Sequence, residues 1–165
     1  MKKTLIIITF LLSAVCVSQQ AFAQESKFKA LFIYKFSEYV QWPTNPGTLT
    51  VGIVGSTDVK EKLASFAATK GGIEVISINS ASDAAKCHML YVPSSEDKNL
   101  SLYTNFIAKK SILLVSDNSS KVGNGADIGF FLEGGKLRFK IDKQNIESKK
   151  MVPSSKLLAL GESIN

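Results

Sequence analysis

The run Cys87-His88-Met89-Leu90-Tyr91-Val92, closed by Pro93, constrains the fold more than any other segment. A short, nearly continuous apolar stretch ended by a proline reads as a strand covered on both faces. Such a strand needs helices above and below it, and the surrounding sequence supplies them. Leu49 to Val54 reads as a strand and Gly55-Ser56-Thr57 as a turn. Asp58-Val59-Lys60-Glu61 then has capping-box spacing, with Asp58 as the cap of a helix through Leu63, Phe66 and Ala67. Gly71-Gly72 stops that helix, and Ile73 to Ile78 supplies a second strand. Leu100, Tyr103, Phe106 and Ile107 mark another helix, which feeds a strand from Ser111 to Ser116. This alternation predicts parallel pairing through crossovers.

Both ends of the chain depart from that rhythm. From Ser26 to Trp42, Phe28, Phe32, Phe36, Tyr39 and Val40 recur at helical spacing until Pro43. Leu31, Ile33 and Tyr34 add apolar surface beside this stripe, so the helix is either covered twice by its own domain or meets a partner. Toward the other end, Ile128 to Leu132 and Leu137 to Ile141 flank Glu133-Gly134-Gly135-Lys136, the pattern of a hairpin. Asp142 is placed to cap a short helix through about Ser148, and Ser154 to Gly161 reads as a final helix. The expected fold is α/β: a mainly parallel sheet with flanking helices plus a C-terminal antiparallel hairpin, in one domain from residue 24 to 165.

Residues 1–23 read as a secretory signal peptide: Lys2 and Lys3, an apolar core from Leu5 to Val17, and small residues at Ala21 and Ala23. That core is shorter than the roughly 20 residues a membrane-spanning helix requires. Val15 before Cys16 disfavours lipidation. Cleavage after Ala23 removes Lys2, Lys3 and Cys16, lowering the net charge from +6 to +4 and leaving Cys87 as the one cysteine, hence no intrachain disulfide. The remaining positive charges are scattered, with a local knot at Lys149-Lys150. They read as a solvated surface rather than a nucleic-acid face.

Catalytic signatures are weak. His88 is the one histidine, set inside an apolar run where a satisfied core position is the plainer reading, and Cys87 reads as a small buried hydrophobe. On one strand the two would point to opposite faces and could not share a metal or act as nucleophile and base. Trp42, beside Pro43, reads as a structural residue packed against the sheet. No catalytic residue, metal ligand or cofactor is expected. A binding site is conceivable where the strands end at their carboxyl edge, because open α/β sheets hold ligands there. That edge would bring together Gly55, Ser56, Thr57, Ser94, Ser95, Ser116, Asp117 and Asn118, although these residue types also suit ordinary loops and caps. Tyr34, on the side of its helix away from Phe28 and Phe32, is the candidate partner-binding residue, for a homodimer or a different protein. The C-terminal helix through Leu157, Leu158 and Leu160 is the alternative cover for that surface.

Five ordered motifs resemble those of the YfiR-type family: Tyr39-Val40-Gln41-Trp42-Pro43, Cys87-His88-Met89-Leu90, Val115-Ser116-Asp117, Leu137-Arg138-Phe139-Lys140-Ile141, and Ser154 to Leu158. The resemblance spans about Phe28 to Leu160. It implies a non-enzymatic periplasmic regulator that contacts the periplasmic sensor domain of a membrane-bound diguanylate cyclase or, in some relatives, accompanies a sensor kinase. It implies no nucleic-acid partner and no membrane insertion once the leader is removed. Better-known members carry disulfides, which a single mature cysteine cannot form, so redox control does not carry over. A periplasmic small-polar-ligand-binding protein using the carboxyl-edge cleft is the alternative expectation.

Overall fold

The computed structural model describes residues 24–164. The expected signal peptide therefore lies outside the described residues. A first helix, α1, covers residues 24–39 and gives way to a two-residue strand, β1 (Val40–Gln41). Then follow β2 (Leu49–Val54), α2 (Asp58–Lys70), β3 (Ile73–Ile78), β4 (Met89–Val92), α3 (Leu100–Ile107), β5 (Leu113–Ser116), β6 (Ile128–Glu133) and β7 (Lys136–Ile141). The chain closes with α4 (Lys143–Ser148), β8 (Val152–Pro153), α5 (Ser155–Leu160) and β9 (Glu162–Ser163). Seven strands form one sheet in the order β3-β2-β4-β5-β6-β7-β9. The first five of these are mutually parallel, β6 and β7 form the expected antiparallel hairpin, and β9 runs parallel to β7. The fold is thus the expected α/β class, with a small second sheet in which β1 pairs antiparallel with β8.

Alternation within the strands divides the interior into two cores. Met89 and Tyr91 of β4, with Leu113 and Val115 of β5, face a core covered by α1, α2, α4 and α5. Leu90 and Val92, with Leu114, face the other, covered by α3 through Leu100, Tyr103 and Ile107. The first core contains a cluster of Phe32, Phe36, Phe130 and Phe139, with Phe36 edge-on to Phe139 at 5.0 Å between centroids. Each such pair adds roughly 0.5–1.5 kcal/mol to area burial. In the second core Gly52 permits close packing: a Cβ there would lie 2.4 Å from Cys87 Sγ.

Five local expectations need correction. The first helix stops at Tyr39, three residues before Trp42, because Tyr39 accepts a hydrogen bond from Ser154 N at 2.8 Å and the chain then pairs with residues 152–153. The cap of α2 is Thr57, not Asp58. Thr57 has the extended backbone of an N-cap and its hydroxyl accepts from Val59 N, while Asp58 is already helical and complements the first-turn dipole. Ahead of β4, Cys87 and His88 stand outside the strand, and β5 begins at Leu113 rather than Ser111. Half of the Lys149-Lys150 knot is interior: Lys149 is 9% exposed and its ammonium sits 2.6 Å from the fully buried Asp127 carboxylate.

Asp127 carries the tie between the β6–β7 hairpin and the centre of the sheet. Its carboxylate also accepts from Leu114 N and from the Asn145 amide, each at 2.7 Å. Burial pushes its carboxyl group upward in pKa, against the opposing pull of the Lys149 charge. Three donors, the ammonium among them, thereby satisfy what would otherwise be an orphaned buried charge.

Candidate functional site

The strand order creates a crevice by itself. The chain leaves β2 through α2 to reach β3 on one side, and leaves β4 through α3 to reach β5 on the other. Since α2 and α3 pack on opposite faces, the loops at the carboxyl ends of β2 and β4 diverge. This is a topological switch point, where open α/β sheets hold their ligands. A cleft of about 520 Å³ opens there on the α1 side.

Of the sequence-expected residues, the cleft gathers Ser56, Thr57, Ser94, Ser95 and Asp117. Gly55 instead borders a neighbouring depression of about 530 Å³ with Lys60 and Asn79. Ser116 points into the interior, where its hydroxyl accepts from Asn118 N at 3.1 Å. Asn118 is turned away: its side-chain oxygen accepts from Ser120 N and its amide donates to Asp97. The Thr57 hydroxyl is committed to capping α2. Tyr34 is 5% exposed, its ring tilted against Phe66 of α2 at 6.3 Å between centroids, with its hydroxyl donating to Gly71 O at 3.2 Å. Its position on α1 is covered by α2, so it packs two elements of the same chain together instead of facing outward.

The dominant polar feature of the cleft is one that sequence reasoning missed. Lys29 of α1 reaches Asp117 at 2.7 Å and Glu25 at 2.5 Å. Burial works to lower the Lys29 pKa, but hydrogen bonds and charge from the two carboxylates outweigh it and hold the ammonium above its ordinary value. Beneath this triad lies Tyr91, whose phenol burial pushes upward in pKa, with Asp117 reinforcing the shift by charge and a hydrogen bond. Ser94 completes the set with a long hydrogen bond of 3.4 Å to Asp117. Phe130, Phe131, Leu132 and Leu137 form the opposite, apolar wall. A signal for Lys29 existed. It stands one turn ahead of Ile33 and Phe36 on the buried stripe of α1, where a lysine requires a carboxylate.

The remaining reactive side chains lie at the other end of the strands. His88 accepts a hydrogen bond from Thr50 N at 2.9 Å through Nδ1, and its carbonyl accepts from Trp42 Nε1 at 3.2 Å. Cys87 is buried among the second core, and burial pushes its thiol up to about 11. It is a packing residue in its protonated form at neutral pH. Among the described residues no three His, Cys, Asp or Glu side chains converge as a metal site, and no helix is long and apolar enough to cross a membrane.

Comparison with known proteins agrees with this architecture. The chain is similar to the crystal structure of a conserved domain protein from Vibrio cholerae O1 biovar El Tor, at 14% identity and a TM-score of 0.59. The match covers 84% of this chain and 59% of that chain, so this chain spans less than two thirds of its length, and the likeness is one of fold. No curated protein matches. The YfiR/HmsC-like family model, in contrast, matches residues 26–162, from the first turn of α1 to the start of β9. The chain belongs to the YfiR/HmsC-like family.

Proposed function

We propose that the protein is a one-domain periplasmic adaptor that binds the periplasmic domain of a membrane signalling protein, a diguanylate cyclase or a sensor kinase, and modulates its activity. Family membership supports the regulatory class. The observation that carries binding over turnover is the Glu25–Lys29–Asp117 triad, whose members hold one another in place beside an exposed apolar surface containing Phe28 and Leu132. Ion-paired groups of this kind fix a surface rather than move protons. Export follows from a leader cut after Ala23, and the secreted form should begin at Gln24 by intact mass. For the partner to respond to a signal, the signal must favour the bound or the free state by differential affinity.

The test is direct. Purified chain 24–165 should bind the periplasmic domain of a membrane signalling protein encoded beside it, and deleting the gene should change cyclic-di-GMP level or kinase output. No binding together with no change in output would remove the adaptor reading. A second reading rests on the switch-point position of the cleft: a small polar ligand held among Ser56, Ser94, Ser95 and Asp117. It predicts stoichiometric ligand binding by calorimetry in the absence of any membrane partner.

A further inference from the structure

We propose that the surface between the first turns of α1 and the β6–β7 hairpin docks an amphipathic helix with apolar anchors and acidic flanks, carried by the partner protein. This rests on the adaptor reading and names what that partner presents. Phe28 is 43% exposed on α1 and Leu132 is 57% exposed at the end of β6. They do not stand as isolated surface residues. A groove of about 560 Å³ separates α1 from the hairpin, with Phe28, Phe32, Leu132 and Leu137 along it. A second groove of about 620 Å³ lies on the other side of Phe28, between α1 and α2, with Leu31 and Phe66 along it. Phe28 is therefore a ridge between two apolar troughs. Ridges and grooves of this kind receive a helix whose side chains at i, i+3 or i+4, and i+7 straddle the ridge. An exposed apolar surface that is continuous, unlike single apolar residues, marks an interaction site.

Charge selects the partner. Lys27 and Lys62 border one groove and Lys136 the other. The acidic groups nearby are already engaged: Glu25 pairs with Lys29, and Glu133 pairs with Arg138. What remains at the rim is positive, so the complement is acidic. An anionic membrane shares that charge, but lipid favours apolar side chains that project from a convex face, whereas here the apolar surface is mostly the floor of two troughs. The other exposed apolar pair on one helix, Leu102 and Phe106 of α3, lies on the opposite face of the sheet, over the second core.

The experiment uses the mature chain and three probes: a synthetic helical peptide of leucine anchors with glutamate flanks, its lysine-flanked twin, and vesicles of anionic phospholipid. The acidic peptide should bind, with affinity falling as salt rises, and the lysine twin should bind at least tenfold more weakly. Phe28→Asp and, separately, a Lys27→Glu/Lys62→Glu/Lys136→Glu triple variant should each weaken binding at least tenfold. Leu132→Asp should do the same, and all variants should keep the parent melting temperature because the replaced side chains are exposed. Equal binding of both peptides, unchanged affinity in Phe28→Asp and Leu132→Asp, or binding to vesicles in preference to the acidic peptide would overturn the proposal. If the neighbouring signalling protein's periplasmic domain binds parent and Phe28→Asp equally, the adaptor reading stands and this surface is excluded. If that domain fails to bind the parent, the adaptor reading itself fails.

Discussion

Two buried residues set measurable limits on the conditions the protein tolerates. The folded state holds the Cys87 thiol at a pKa of about 11, against 9.0 for the free group, with burial as the main cause. The native state thus keeps its proton more tightly, so the contribution is fully present below pH 9 and is lost as pH rises toward 11. The loss amounts to about 3 kcal/mol, and Cys87→Ala should remove that slope from urea midpoints taken between pH 8 and 11. For the same reason iodoacetamide should label Cys87 slowly until denaturant is added. Lys149 is the second residue. Lys149→Met leaves the Asp127 carboxylate buried without its cation, which should cost about 3–5 kcal/mol. Combining it with Asp127→Asn should recover part of that loss in chemical denaturation, and additive losses would show that the pair is not coupled. Residue type alone marks neither Lys29 nor Lys149 as interior, since a lysine carries the same label whether it is solvated or paired; for Lys29 the apolar stripe of α1 is the one local signal. Only the distant carboxylates Asp117 and Asp127, 88 positions beyond the first and 22 before the second, decide the matter.

At the scale of elements, local signals were sufficient wherever the deciding interaction is itself local. Asp142 caps α4 through Asn145 N at 2.9 Å and Ser154 caps α5 through Leu157 N at 3.2 Å, both where residue type and spacing place them. The β6–β7 hairpin follows from Gly134-Gly135, and its register pairs Phe130 with Phe139. The end of α1 could not be read in this way. Its boundary is set by residues 152–154, more than a hundred positions away, while Pro43 marks merely the last point at which a helix could stop. The same holds for the two-residue strands β8 and β9, which have no periodicity to detect. Trp42 shows the energetic side of this junction: its indole is buried in the first core and donates to the His88 carbonyl, joining the exit of α1 to the entrance of β4. Trp42→Ala should cost about 3–5 kcal/mol, read as a lower denaturation midpoint. An unchanged midpoint would detach Trp42 from the core.

On the scale of the whole molecule, the site was legible in outline and not in detail. The strand-helix alternation located the carboxyl edge, and five of eight expected residues do border the cleft. The choice among neighbours in one loop depended on which way each side chain turned, as with Ser116 inward and Asn118 away. The assembly of the cleft predicts that Lys29→Met, by freeing Asp117 and Glu25, should loosen α1 and raise hydrogen exchange in its first turns well beyond that in β4. Equal protection in parent and variant would show that apolar packing alone holds the helix. The clasp of β1 with β8 has a temporal consequence. A chain that emerges amino end first, from a ribosome or through a membrane pore, delivers α1 at the outset, yet the core that Ile33 and Phe36 enter also contains Phe130, Phe139, Met151 and Leu157. Until nearly the last residues appear, that helix has no complete core to enter, so the chain remains threadable for most of its passage and closes as a unit only at the end.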